Sequence, residues 1–276
     1  MNARAWGNLA LALVVLALAG AIYFKPDPKP VALRVSTLAP AEIGHIEIAR
    51  EGQAPIVLER GARGWALRGP FTARADVLRT QRLLEILDAR STTRLDAGDP
   101  GRFDLDKPQV KLSLGAQTFS FGTVNPLTGE QYVATQGAVY LLALRYAAAL
   151  PRQPEDMISR RPLADDEQPI GFELRDFSVT QSDGKWLLQP SSAALSQDDF
   201  NRWVDDWRFA SATQVQPSPG AAAGERIRVA LKDGRGIVFT VVKREPDLLV
   251  ERDDERLRYR IPAASAKTLL APPAAR

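Results

Sequence analysis

Two stretches decide the fold: Ile56 to Pro70, IVLERGARGWALRGP, and Phe177 to Pro190, FSVTQSDGKWLLQP. Each runs as a short apolar segment, a glycine-containing turn, a tryptophan segment and a proline, and each is followed by a helical pattern. Trp65 and Trp186 lie about 120 residues apart, and similar strand patterns follow each helix at a similar offset. The chain therefore reads as two copies of one module.

Working outward in the first copy, Ile43 to Ile48 alternates as a strand does, Ile56-Val57-Leu58 and Trp65-Ala66-Leu67 add two more, and Gly61 and Gly64 turn between them. From Ala75 to Ala89 the period becomes helical, with Val77, Thr80, Leu83, Leu84 and Leu87 on one face and Arg79, Arg82, Glu85 and Asp88 on the other. Val110 to Leu114, Thr118 to Phe121, Tyr132 to Ala134 and Val139 to Leu142 read as strands, and Leu144 to Leu150 as a short closing helix stopped by Pro151.

The second copy keeps that order. Phe172 to Leu174, Phe177 to Val179 and Trp186 to Leu188 are strands. Ser196 with Asp199 three positions on resembles a capping box, and Phe200, Trp203, Val204 and Trp207 form one apolar stripe. Ile227 to Leu231, Ile237 to Val242, Leu248 to Val250 and Leu257 to Ile261 follow as strands, and Ala263 to Leu270 as a closing helix. The expected class is α+β, two tandem repeats of a mostly antiparallel sheet with one main helix each, behind an N-terminal transmembrane helix. The expected division is 1–30, anchor and Pro-rich spacer; 31–151, first repeat; 152–169, a proline- and charge-rich linker; and 170–276, second repeat. A sheet shared across both halves stands as the alternative to two separate cores.

The anchor rests on Gly7 to Phe24, GNLALALVVLALAGAIYF, which carries no charge. As a helix it spans about 27 Å at about 1.5 Å per residue, close to the thickness of a bilayer's hydrocarbon core. Trp6 and Tyr23 suit its two interfaces. Ala17-Leu18-Ala19 offers a cleavage motif, but the apolar run continues through Phe24, which favours a retained signal anchor over a cleaved signal peptide. Arg4 lies on the short side of this stretch and Lys25 and Lys29 on the long side, so charge does not decide the orientation; the short N-terminal tail favours a cytoplasmic N-terminus, with the bulk of the chain outside the cytoplasm. Lys25-Pro26-Asp27-Pro28-Lys29-Pro30 reads as an extended spacer.

Of the 276 residues 45% are hydrophobic and 25% charged, with a net charge of +3, an ordinary globular balance. Basic and acidic residues are interspersed, which argues against nucleic acid as a partner. The absence of cysteine excludes disulfides, thiolate nucleophiles and Cys-ligated zinc.

Trp65-x-Leu67-x-x-Pro70, followed by Ala75-Asp76 and Leu83-Leu84-x-x-Leu87, resembles the signature of a bacterial domain-of-unknown-function family, number forty-three-forty. Phe103-Asp104-Leu105-Asp106-Lys107-Pro108 resembles that family's aromatic-Gly-Leu-Asp-x-Pro element, with Asp104 where glycine is more usual. The resemblance covers residues 43–150, and the second half follows it in outline. It implies a membrane-anchored envelope protein, and some members resemble auxiliary subunits beside gliding-motility-type ABC transporters. It implies no catalytic residues.

Reactive constellations are scarce. His45 is the only histidine and reads as structural or solvent-facing. Asp165-Asp166-Glu167, Asp205-Asp206 and Asp253-Asp254-Glu255 fall in a linker, on a helix's polar face and in a hairpin turn, where charge is normally solvated. Asp96, Asp99, Asp104 and Asp106 lack the spacing of a calcium loop. No catalytic, cofactor-binding or metal-binding residue is expected. Thr123 to Glu130 reads as a long hairpin loop and as the first place to seek partner contacts.

The expected function is that of a non-enzymatic, single-pass inner-membrane protein with its bulk in the periplasm. It acts through an envelope protein partner, an ABC-type transporter being one candidate. The alternative is a small-molecule, glycan or lipid binding module with a cleft between the repeats. A hydrolase would require two carboxylates from different segments to meet in a cleft.

Overall fold

The structure, a computed structural model, describes residues 3–23, 32–191, 195–220 and 222–274. Helix α1 spans Ala3–Tyr23, and its Leu11, Leu13, Val14, Val15, Leu16 and Leu18 are exposed. Among the described residues no helix is long and apolar enough to cross a membrane. The expected transmembrane segment is thus not found as such, and it is only partly open to view. The side chains at 8–10 and 21–23, together with Phe24 and the proline spacer, lie outside the described residues.

The first half contains β1 (Leu33–Arg34), β2 (His45–Arg50), β3 (Ile56–Gly61), β4 (Gly64–Gly69), β5 (Ala73–Arg74), α2 (Val77–Leu84), β6 (Arg90–Ser91), β7 (Arg94–Asp96), β8 (Val110–Leu114), β9 (Gln117–Val124), β10 (Gln131–Thr135), β11 (Ala138–Leu142) and α3 (Arg145–Ala148). The second contains β12 (Pro169–Glu173), β13 (Ser178–Ser182), β14 (Lys185–Gln189), α4 (Gln197–Arg208), β15 (Gln214–Pro217), β16 (Glu225–Leu231), β17 (Gly236–Lys243), β18 (Leu248–Arg252), β19 (Leu257–Ile261) and α5 (Ala263–Leu270).

The first large sheet has the order β5-β4-β3-β2-β8-β9-β10-β11-β7, and the second β14-β13-β12-β16-β17-β18-β19-β15. With β5 set aside the two orders correspond strand for strand. In each half a three-stranded meander leads to the main helix. The chain then reaches the sheet's far edge (β7 or β15) before a second meander starts beside the first. All these pairings are antiparallel. The duplication read around the two tryptophans is thus a duplication of topology. The sheets stay separate, but one hydrophobic cluster runs through both halves, from Ile46 and Phe119 to Trp207 and Phe239.

Local chemistry explains the elements. Asp183-Gly184 and Gln136-Gly137 all take positive φ, as two-residue hairpin loops of this hand require. Ser196 and Asp199 form the reciprocal capping box, with bonds of 3.2 and 3.0 Å between backbone and side chain. The α4 stripe is buried, and Trp203 and Trp207 pack on Phe172 at 4.9 and 5.4 Å between ring centroids.

The helix expected over 75–89 is shorter. Asp76 caps it by accepting from the Arg79 N–H at 3.0 Å, and from Glu85 to Asp88 the chain tightens into a 3₁₀ turn. Thr80, Leu83, Leu84 and Leu87 are buried as expected, whereas Val77 is exposed because it sits on the capped first turn. His45 is exposed on β2.

The tryptophan strands are flanked differently in the two halves. The Trp65 carbonyl accepts from Ala75 N–H at 3.0 Å, so the chain's own β5 region covers that edge. At Trp186 the Gln197 side-chain amide does the same work, accepting from the Trp186 N–H at 2.8 Å and donating to its carbonyl at 3.2 Å.

Asp104 takes φ 56°, ψ 34°, the left-handed region, just after a short 3₁₀ turn. Glycine takes that region without strain, and aspartate is among the few other residues that tolerate it. The same segment crosses β9 so closely that a Cβ on Gly122 would lie 2.2 Å from the Phe103 carbonyl oxygen. In urea denaturation Gly122→Ala should therefore lose about 1–3 kcal/mol. Asp104→Val should lose about 1–2 kcal/mol, while Asp104→Gly loses nothing. Equal stability for the valine and glycine variants would contradict this account of the turn.

Candidate functional site: the charged junction between the halves

The connector is packed. Met157, Ile158 and Leu163 are buried, because the connector supplies a strand-like rung between the two halves. Asp76 N–H donates to the Met157 carbonyl at 2.7 Å and Ser159 N–H to the Arg74 carbonyl at 2.8 Å. On its other side, Ala212 N–H donates to the Arg160 carbonyl at 2.9 Å.

This rung brings together charged residues distant in sequence. Arg252 ends β18 with its side chain 2% exposed. Its Nη1 and Nη2 donate to the two Glu167 oxygens at 2.8 and 2.6 Å, a bidentate pair. Nη1 also donates to the Pro162 carbonyl at 2.7 Å, and Nε to Asp254 at 2.9 Å. Glu167, 3% exposed, accepts a further bond from Ala164 N–H at 2.7 Å.

Beside this pair Arg74, from β5, donates through Nε to Glu255 at 2.5 Å and through Nη2 to the Arg161 carbonyl at 2.7 Å. Tyr259 donates to Glu255 at 2.7 Å and accepts from Arg74 at 3.2 Å. One network thus ties the first sheet's edge, the connector and the last hairpin.

The electrostatics follow from the burial. Burial pushes the Glu167 carboxyl up, but hydrogen bonds from Arg252 and from the Ala164 backbone outweigh it and hold the group below its ordinary value. Burial works to lower the Arg252 pKa, and Glu167 and Asp254 more than reverse that effect. Burial chiefly, with the negative charge of Glu255, raises the Tyr259 phenol, which therefore stays protonated.

The expectation that the acidic runs are solvated holds only in part. Asp165 pairs with Arg161 at the surface, and Asp205 with Arg208 at 3.2 Å. Glu167 corrects it outright, because an otherwise unpaired Arg252 in the interior needs its carboxylate. Glu255, with 14% of its side chain exposed, corrects it as well. Arg74, Arg252 and Tyr259 were not singled out from the sequence. A parity signal was present: Leu248, Val250 and Arg252 share the inward face of β18, so a charge stood where an apolar residue belongs.

The junction opens into a cleft of about 720 Å³ lined from both halves, by Trp65, Phe71 and Arg74 on one side and by Glu167, Arg235 and Glu255 on the other. Among the described residues no group of three or more His, Cys, Asp or Glu could hold a metal ion. The Asn125–Glu130 loop is ordered by its own bonds, Asn125 N–H to the Glu130 carbonyl at 2.7 Å and Leu127 N–H to Asn125 Oδ1 at 2.9 Å. It holds Leu127 out in solvent.

Comparison with family profiles matches residues 65–216 to the Domain of unknown function (DUF4340). The match covers more than half of the chain, and the protein belongs to that family. It starts at Trp65 and runs through the connector into β15, so the family unit straddles both repeats and contains Arg74 and Glu167. No curated protein and no solved structure matches the chain.

Breaking the buried pair should be costly and removing it whole should not. Glu167→Leu is expected to lose about 3–5 kcal/mol in urea denaturation, and Glu167→Leu with Arg252→Met to recover most of that. Equal losses in the single and double variants would show that packing, not charge, sets the effect. The Glu167 pKa is lower in the folded chain than the ordinary glutamate value of 4.5 that an unfolded chain shows. Its contribution is therefore full at neutral pH and is lost as the pH falls below that value. Arg252→Met should flatten this part of the acid-stability profile.

Proposed function

We propose that this chain is a membrane-anchored envelope protein whose duplicated α+β body lies in the periplasm and works by contact with other proteins, without chemistry of its own. One observation carries the reading. The buried charged groups that could have served catalysis are paired with one another and hold the two halves together. Glu167 and Glu255 come from different segments and meet near Arg252, as a hydrolase would need. Glu167, however, is held ionised, the opposite of what a general acid requires.

The uncharged stretch Gly7–Phe24, with the exposed apolar face of α1, supports the anchor. The preorganised hairpin tip with Leu127 is a fitting partner surface, and an ABC-type transporter is the partner the family resemblance suggests. A second reading, a binding module, is favoured by the cleft between the repeats.

Affinity purification of the full chain from detergent-solubilised membranes should recover a membrane protein partner, and Leu127→Asp should weaken that recovery. A reporter active only outside the cytoplasm, fused after Arg276, should give signal. A chain that always elutes alone defeats the contact reading, and a silent reporter defeats the periplasmic placement.

A further inference from the structure

The charges lining the junction cleft do not balance. Six arginines and four carboxylates line it, a surplus of two positive charges. Each of those carboxylates is matched. Glu167 and Asp254 bond Arg252, Glu255 bonds Arg74, and Asp166 acts on Arg235 through its charge. That leaves three lining arginines: Arg68 pairs at 3.5 Å with Glu59, which lies outside the lining, whereas Arg63 and Arg256 have no ion-pair partner among the described residues. Arg63 sits in the turn between β3 and β4 of the first half, and Arg256 in the turn between β18 and β19 of the second. The two unpaired cations therefore come to the same cleft from opposite repeats.

Arg74 adds to them. Its bonds within the network use Nε and Nη2 and leave Nη1 without a partner among the described residues. The cleft also has an apolar wall. Trp65 and Phe71 are only partly buried, pack on the core and line the cleft beside these arginines. Guanidinium groups match carboxylate and phosphate geometry, and exposed aromatic faces take flat apolar groups.

We propose that the junction cleft binds a small dianion, its two negative groups carboxylate or phosphate, carried on a flat apolar body. Arg63 and Arg256 engage the anionic groups and Trp65 and Phe71 the body. This rests on the second reading above and names its ligand class. The volume of about 720 Å³ suits a ligand of ordinary metabolite size. Because the contacts come from both repeats, such a ligand stabilises the junction as it binds.

The test is calorimetric titration of the detergent-solubilised full chain, in a buffer free of other polyvalent anions. The probes are benzene-1,4-dicarboxylate, phenyl phosphate and neutral benzamide. One of the two anions should bind with one-to-one stoichiometry and weaken as salt is raised, and which of them binds better decides between carboxylate and phosphate. Arg63→Ala and Arg256→Ala, both in exposed turns, should each weaken binding roughly tenfold, about 1.4 kcal/mol. Binding should also change tryptophan emission in the native chain and not in Trp65→Phe.

Benzamide binding as well as the anions, with the same dependence on Trp65, overturns the ligand class and leaves the cleft reading standing. Anion binding untouched by both arginine variants places the ligand elsewhere and overturns the proposal. No binding by any probe at millimolar concentration overturns it too.

Discussion

A guanidinium cannot be buried alone. Removing one from water carries a penalty of several kcal/mol, recovered only if carboxylates and carbonyls meet its donors in good geometry. Arg252, nearly inaccessible at the end of β18, imposes that requirement on everything around it. Its partners come from the connector, Glu167 and the Pro162 carbonyl, and from its own hairpin turn, Asp254. The connector cannot then be a loose tether. It has to pass close to Arg252, and in doing so its residues 157–160 are drawn against the edge of the first sheet and the approach to β15. Arg74 and Glu255 complete the arrangement from the two sides.

The duplicated topology gains its asymmetry from the same place. Both halves use the same strand order, the same helix placement and the same tryptophan strand. They differ at the edge beside that tryptophan. In the first half β5 lies there and supplies Arg74 to the junction, whereas in the second the Gln197 side chain satisfies the Trp186 backbone. The edge of one copy has become the seam with the other. That the family match runs from Trp65 across the connector to β15 agrees with treating the seam, and not the single repeat, as the unit.

Much of this was legible in the sequence, for identifiable reasons. Strict alternation marks Val110 to Leu114 and Ile227 to Leu231 because one face is buried and the other is not. The capping box and the Phe200, Trp203, Val204, Trp207 stripe mark α4 because four apolar residues fall at helical spacing. The short strands β1, β5, β6, β7 and β15 are not legible in the sequence, since two to four residues cannot display a period. The junction was missed because charge in a proline-rich stretch reads as solvated. Glu167 is buried only because Arg252, 85 positions later, is buried against it, and no local pattern carries that pairing. The inward parity of Arg252 was the one available clue.

If the seam joins the halves, they cannot melt apart. Differential scanning calorimetry of the full chain, compared with Glu167→Leu, tests this most directly. The native protein should unfold in a single transition whose calorimetric and van't Hoff enthalpies agree, and the variant in two. Two separate transitions in the native protein would contradict the account.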